Sequence, residues 1–109
     1  MSPITTHVLD TAAGRPATGI GVTLEFFAEG QQSWTKLGQG KTDTDGRIRD
    51  LLPENHALMA GFYRLRFDTA AVSAFFPQVS IQFRISDRAQ HYHVPLLLSP
   101  YGYSTYRGS

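Results

Sequence analysis

The sequence predicts an all-β sandwich, on three observations. Apolar and polar residues alternate with a period of two along several stretches, and clusters of Gly, Pro, Asp and Asn separate those stretches at intervals of ~8–12 residues. Only one segment has strong helical character. The 109 residues, 41 % of them hydrophobic, supply one core and one domain spanning positions 1–109, since chains split into further domains well above this length.

The first strand is expected over residues 4–9, closed by the turn-forming run Asp10-Thr11-Ala12-Ala13-Gly14-Arg15-Pro16. A second covers 20–27, with Ile20, Val22, Leu24 and Phe26 on one face and Thr23 and Glu25 on the other. After Gly30-Gln31-Gln32 a short third strand spans 33–38, with Trp34 at an apolar position and Lys36 toward solvent. Thr42-Asp43-Thr44-Asp45-Gly46 is turn chemistry, because Asp bonds its own backbone and Gly supplies positive φ. A fourth strand then begins at 47–49.

Residues 51–60 contain Pro53 and Asn55 and read as a loop with at most one helical turn. The fifth strand, 61–68, sets Tyr63, Leu65 and Phe67 against Arg64 and Arg66. Between a cap at Asp68 or Thr69 and the stop at Pro77, three alanines make 69–75 the helix candidate, about two turns long. The sixth strand, 79–85, has the cleanest alternation. A seventh at 91–98 and an eighth at 103–106 flank the turn Ser99-Pro100-Tyr101-Gly102. Pro95 places the seventh at an edge, or where one backbone donor is not needed. Short strands with regular turns pack as two facing antiparallel sheets.

Charge and cysteine content exclude several functions. Ten Lys and Arg oppose nine Asp and Glu, a net charge of +1, too little to hold phosphate backbones by counterion release. Nucleic acid is therefore not expected as a partner. The absence of cysteine excludes a disulfide scaffold, a thiolate metal site and a cysteine nucleophile. No basic-then-apolar leader opens the sequence and no run approaches ~18 apolar residues. A cytoplasmic protein that does not contact membranes is expected.

Four histidines occur, at His7, His56, His91 and His93. His91 and His93 point to the same face of one strand, and His7 on the first strand is positioned to join them. An incidental role, a catalytic role and an open three-histidine zinc site all fit this pattern. Arg47 follows a glycine-containing turn; it is either a solvated cation or a fork-shaped contact for a planar, oxygen-rich ligand. Tyr101, Tyr103 and Tyr106 crowd the last nine positions, and fit either an aromatic edge strand or the lining of an interface or pocket.

Three blocks together resemble the transthyretin-like 5-hydroxyisourate hydrolases. They are Thr6-His7-Val8-Leu9-Asp10 with Gly14-Arg15-Pro16-Ala17, then Thr42-Asp43-Thr44-Asp45-Gly46-Arg47-Ile48, then the run from His91-Tyr92-His93-Val94-Pro95 to the closing Tyr106-Arg107-Gly108-Ser109. The related hormone carrier transthyretin shares a Leu-Leu-Ser-Pro-Tyr stretch but lacks the histidines and this ending, so the resemblance favours the enzyme branch.

The resemblance implies two four-stranded, mainly antiparallel sheets, one short helix after the fifth strand, and a homotetramer built as a dimer of dimers with its sites where dimers meet. It also implies hydrolysis of 5-hydroxyisourate to 2-oxo-4-hydroxy-4-carboxy-5-ureidoimidazoline in urate breakdown. No cofactor is expected, and no metal, because an imidazole can activate water and the His-x-His pattern alone is a weak metal motif. Carried over by motif, His7, Arg47 and His93 are the expected catalytic residues. His7 and Arg47, with Tyr106, His91 and Ser109, are the expected substrate contacts. No serine nucleophile elbow is present, so direct attack by water is expected.

Overall fold

The computed structural model describes residues 2–108 and turns the alternating stretches into strands. In chain order these are β1 (Ile4–Asp10), β2 (Arg15–Pro16), β3 (Gly21–Ala28), β4 (Ser33–Lys41), β5 (Arg47–Ile48), β6 (Gly61–Asp68), β7 (Gln78–Ile85), β8 (Tyr92–Ser99) and β9 (Gly102–Thr105). One sheet runs β4-β3-β6-β7 and is antiparallel throughout. The other runs β2-β1-β8-β9, with β5 also hydrogen-bonded to β1. β1 and β8 pair in parallel, from Ile4 opposite Tyr92 to Asp10 opposite Leu98.

The period-two pattern decides which side chains enter the space between the sheets. In β7, Val79, Ile81 and Ile85 are buried while Ser80, Gln82 and Arg84 are exposed. Tyr63, Leu65 and Phe67 do the same on β6, Ile4 and Val8 on β1, and Val94, Leu96 and Leu98 on β8. The expected all-β sandwich is therefore present. Trp34 lies outside the core: it meets Phe27 edge-on across the pair, with the Arg64 guanidinium 4.2 Å above its ring.

Two details of the expectation are corrected. The sheet holding β1 has five strands rather than four, because Arg15 and Pro16, within the segment read as a turn, pair with Asp10 and Leu9. Residues 69–75 also form a turn and not a helix. The amides of Val72 and Ser73 both return to the Thr69 carbonyl, at 3.0 and 2.8 Å. Thr69 Oγ1 then donates to the Phe76 carbonyl, and Ser73 Oγ donates to the Pro100 carbonyl. Side-chain bonds of this kind compete with helix propagation, and a segment of this length cannot offset the cost of nucleation. The helical content among the described residues is one 3-10 turn, Glu29–Gln31.

Pro95 sits in the interior strand β8. The ladder to β9 ends at the Leu96–Thr105 pair and resumes as an isolated bridge between His93 and Gly108, so Pro95 falls in the gap where no donor is required. The loop at 51–60 contributes Leu51, Leu52 and Leu58 to the core. Tyr63 Oη pins its end by donating to the Met59 carbonyl at 2.6 Å.

Leu96 is fully buried on β8 between two partner strands. Leu96→Ala should lower unfolding free energy by ~2–5 kcal/mol. Denaturant titration followed by circular dichroism measures this; a loss well under that range would show that the core collapses around the gap.

Candidate active site

Because β1 alternates, Ile4, Thr6 and Val8 enter the interior while Thr5, His7 and Leu9 face the outside of the sheet. The register then assembles a cluster on that outer face. Arg47 of β5 is directly opposite His7, and His93 of β8 is directly opposite Thr5. The His7 and His93 rings lie 6.5 Å apart, centroid to centroid, with their planes 35° apart. All three expected catalytic side chains, His7, Arg47 and His93, are thus half-buried on one patch.

The turn before β5 delivers the arginine. Asp43 Oδ1 accepts from the amides of Asp45 at 2.8 Å and Arg47 at 3.0 Å, and the Gly46 amide donates to the Asp43 carbonyl at 2.9 Å. The Arg47 amide is the main reason the Asp43 carboxyl titrates below the usual carboxylate range. The Val8 amide donates to the Gly46 carbonyl at 2.7 Å, locking the turn to β1. Gly46 has φ of 74°, and a Cβ there would lie 2.5 Å from the Val8 carbonyl oxygen.

Burial is the largest influence on both imidazoles and lowers the pKa of each; the Arg47 charge is the next and acts in the same direction. For His7, a hydrogen bond to the Asp45 backbone and the carboxylates of Asp43 and Asp45 oppose this in part. For His93, the neighbouring His7 and His91 add to the depression. Both rings are therefore neutral at pH 7, beside a guanidinium that keeps its charge.

His91 and His93 do reach the same place. His91 Nε2 lies 3.2 Å and His93 Nδ1 2.8 Å from one hydroxyl, Thr5 Oγ1. Sequence reasoning passed over Thr5; the available signal was its outward position two residues before His7. Gly108 was also passed over as an individual. Its amide donates to the His93 carbonyl at 2.8 Å, and a Cβ there would be 2.6 Å from His93 Cδ2.

Tyr106 is not brought against the histidines. It is 58 % exposed and borders an opening lined by Ile81, Phe83, Tyr92 and Val94. No hydrogen bond or ring contact joins it to His7 or His93 among the described residues. Ser109 lies outside the described residues. His56 sits in the loop that precedes β6. Among the described residues no group of three or more His, Cys, Asp or Glu side chains is placed to hold a metal ion. Nor is any helix long and apolar enough to cross a membrane.

Gly46→Ala must place a methyl group against the Val8 carbonyl in a left-handed conformation that costs L-residues about 1–2 kcal/mol by itself. It should destabilise the fold by more than this and displace Arg47 from His7. Thermal unfolding, with the imidazole resonances of His7 in a two-dimensional NMR spectrum, measures both effects; unchanged values would remove the turn's positioning role.

The chain matches the HIUase/Transthyretin family over residues 4–108. A 5-hydroxyisourate hydrolase of Caulobacter vibrioides is 46 % identical, with 100 % of both chains covered. One from Salmonella dublin is 47 % identical over 97 % of this chain and 80 % of its own length. Among solved structures, Klebsiella pneumoniae 5-hydroxyisourate hydrolase superposes with a TM-score of 0.79 at 37 % identity, covering 97 % of this chain and 98 % of that one. Sea bream transthyretin in complex with thyroxine superposes with a TM-score of 0.86 at 30 % identity, covering 97 % and 94 %. The backbone is thus common to hydrolase and carrier, and sequence identity is higher to the hydrolase. By sequence and by backbone, this chain belongs to the HIUase/Transthyretin family.

Proposed function

We propose that this chain hydrolyses 5-hydroxyisourate, with proton transfer through His7 and His93 and charge stabilisation by Arg47. The observation that carries the reading is the pair of imidazoles 6.5 Å apart beside an arginine on one half-buried face. The hydrolase relatives name the substrate, and a uric acid degradation bifunctional protein of Arabidopsis thaliana, 48 % identical over 98 % of this chain and 37 % of its own length, supports a place in urate breakdown.

Opening the ring at an acyl C–N bond needs a base for water, a donor for the developing oxyanion and an acid for the leaving nitrogen. One imidazole takes a proton from water as the oxygen attacks the acyl carbon. Electron density moves onto the carbonyl oxygen, where the paired N–H donors of Arg47 hold it. The C–N bond then breaks as the nitrogen takes a proton from the imidazolium so formed, and the acyl carbon, left as a carboxylic acid, gives its remaining water-derived proton to solvent and becomes a carboxylate. A carrier of the transthyretin type needs apolar walls for its ligand and no imidazole pair, so the cluster favours the hydrolase.

Tyr106 and Ser109 enter the same reading as substrate contacts, with His91 at the edge. In the single chain the cluster has one wall, the outer face of the β1–β8 sheet, and a flat ring needs a second. A homotetramer, arranged as a dimer of dimers, supplies that wall from another copy. The same assembly covers Phe75, Tyr101, Tyr103 and Tyr106, which are 65 %, 82 %, 45 % and 58 % exposed in the single chain.

Decay of freshly generated 5-hydroxyisourate, followed by absorbance, should accelerate with the protein, and an unchanged rate overturns the reading. His7→Ala, Arg47→Ala and His93→Ala should each cost ~10²-fold or more in kcat/KM; losses under threefold would place the chemistry elsewhere. Neutral imidazole is the competent base and both rings titrate below the ordinary imidazole value of 6.5. Activity should therefore persist as pH falls to 6.5 and be lost below it, and an acid limb centred above 6.5 would contradict the assignment. Deleting residues 106–109 should remove most activity while the circular dichroism of the sandwich is retained; a folded, fully active product would remove Tyr106 and Ser109 from the site.

A further inference from the structure

We propose that Thr5 is a positioning residue for His93, its hydroxyl setting which ring nitrogen of His93 carries the proton and so whether Nε2 meets the substrate as a base or as a hydrogen-bond donor. This rests on the hydrolase reading above and extends it to a residue that does not touch the substrate.

The argument is one of hydrogen-bond capacity. Thr5 Oγ1 lies 2.8 Å from His93 Nδ1 and 3.2 Å from His91 Nε2. A hydroxyl has one hydrogen to donate, while its oxygen accepts, so the two contacts constrain each other. If Thr5 donates to His91, then His93 Nδ1 carries a hydrogen and donates to Oγ1. His93 Nε2 is then left with its lone pair and acts as a base. If Thr5 donates to His93 Nδ1, the neutral ring carries its hydrogen on Nε2 and faces the substrate as a hydrogen-bond donor, while His91 Nε2–H donates to Oγ1. Rotating one hydroxyl, together with the tautomers of both rings, exchanges the two states without adding a proton.

Three further observations make the hydroxyl an effective control. Thr5 is only 4 % exposed, which keeps water from replacing it as a partner of His93 Nδ1. It is also the direct register partner of His93 in the parallel ladder, so the backbone places Oγ1 and Nδ1 side by side. On the other side of the ring, the close packing of Gly108 against Cδ2 limits rotation away from the hydroxyl. Among the described residues no hydrogen bond occupies His93 Nε2, which leaves that nitrogen for substrate or water. When Nε2 takes a proton from water, the Nδ1–H···Oγ1 bond is already made, and the imidazolium is held in place until it protonates the leaving nitrogen.

The test uses the full chain with 15N-labelled histidine. Thr5→Val keeps the shape and removes the hydroxyl; it should lower kcat by ~10–100-fold, the scale expected for losing a partner one step behind a ligand-bearing imidazole, with KM nearly unchanged. Thr5→Ser should recover most of the loss. Long-range 1H–15N spectra should show one dominant His93 tautomer in the natural protein and a mixture in Thr5→Val. Thr5→Val with kcat within twofold of the natural protein and the same tautomer overturns the proposal, provided His93→Ala is inactive. If His93→Ala is itself active, the hydrolase site assignment fails, and the tautomer spectra still decide whether Thr5 controls His93. Should Thr5→Val fail to fold, His91→Ala serves in its place. The freed hydroxyl then donates to Nδ1, and His93 in this variant should be predominantly the Nε2–H tautomer; a His93 that is predominantly Nδ1–H there overturns the proposal.

Discussion

The parallel ladder between β1 and β8 is the pairing on which the rest of this protein depends. These strands lie at opposite ends of the sequence, so the loop-closure entropy of the whole intervening chain must be met before they can pair. The buried faces compensate, with Ile4 and Val8 from β1 joining Leu96 and Leu98 from β8 in one core. A buried bond from Thr6 Oγ1 to the Val94 carbonyl, 2.6 Å long, adds register specificity. Sliding either strand by one residue would turn its apolar set outward and its histidines into the core. The requirement that buries Ile4 and Val8 with Leu96 and Leu98 therefore also places Thr5 and His7 near His93 on the opposite face.

A second constraint acts on the other edge of β1. Only two residues of β5 pair there, too few to hold the strand by ladder bonds alone. The Asp43 side chain, the Gly46 turn and the Val8–Gly46 bond do most of that work. The exposed pair between Arg49 and Asp43 at 3.2 Å adds little, as such pairs generally do. The result is a guanidinium held beside two imidazoles that burial keeps neutral. That combination suits a reaction in which negative charge appears on oxygen while protons move between neutral groups, because the cation has no carboxylate within ion-pair distance among the described residues.

Alternation made most of the fold legible. Where neighbouring residues compete for the same backbone groups, it did not. Arg15 and Pro16 read as turn residues because a two-residue strand has no periodicity to detect; they pair only because β1 is already fixed beside them. The alanines at 70 and 71 suggest a helix, yet Thr69 and Ser73 bond to the Phe76 and Pro100 carbonyls, partners that exist only once β7 and β9 are placed. Glu25 reads as a solvent-facing residue but is 8 % exposed, covered by Arg64 at 2.8 Å and Arg66 at 3.7 Å. A buried carboxylate of this kind is tolerable only with its partners in place.

For the site, residue chemistry and spacing raised His7, Arg47 and His93 as candidates with other roles still open, and the family resemblance singled them out; that His91 meets His93 at Thr5 needed the structure, because His91 precedes β8. The sequence by itself therefore determined the fold class and the chemical types available for catalysis, because period-two alternation and titratable side chains are local properties. Tertiary structure alone decided which of those groups meet. The pairing of Thr5 with His93 and of His7 with Arg47, the seating of Gly108 against an imidazole, and the separation of Tyr106 from that cluster all depend on inter-strand register. Register is a property of two distant segments at once, set by which faces can be buried together, and no single stretch of sequence contains it.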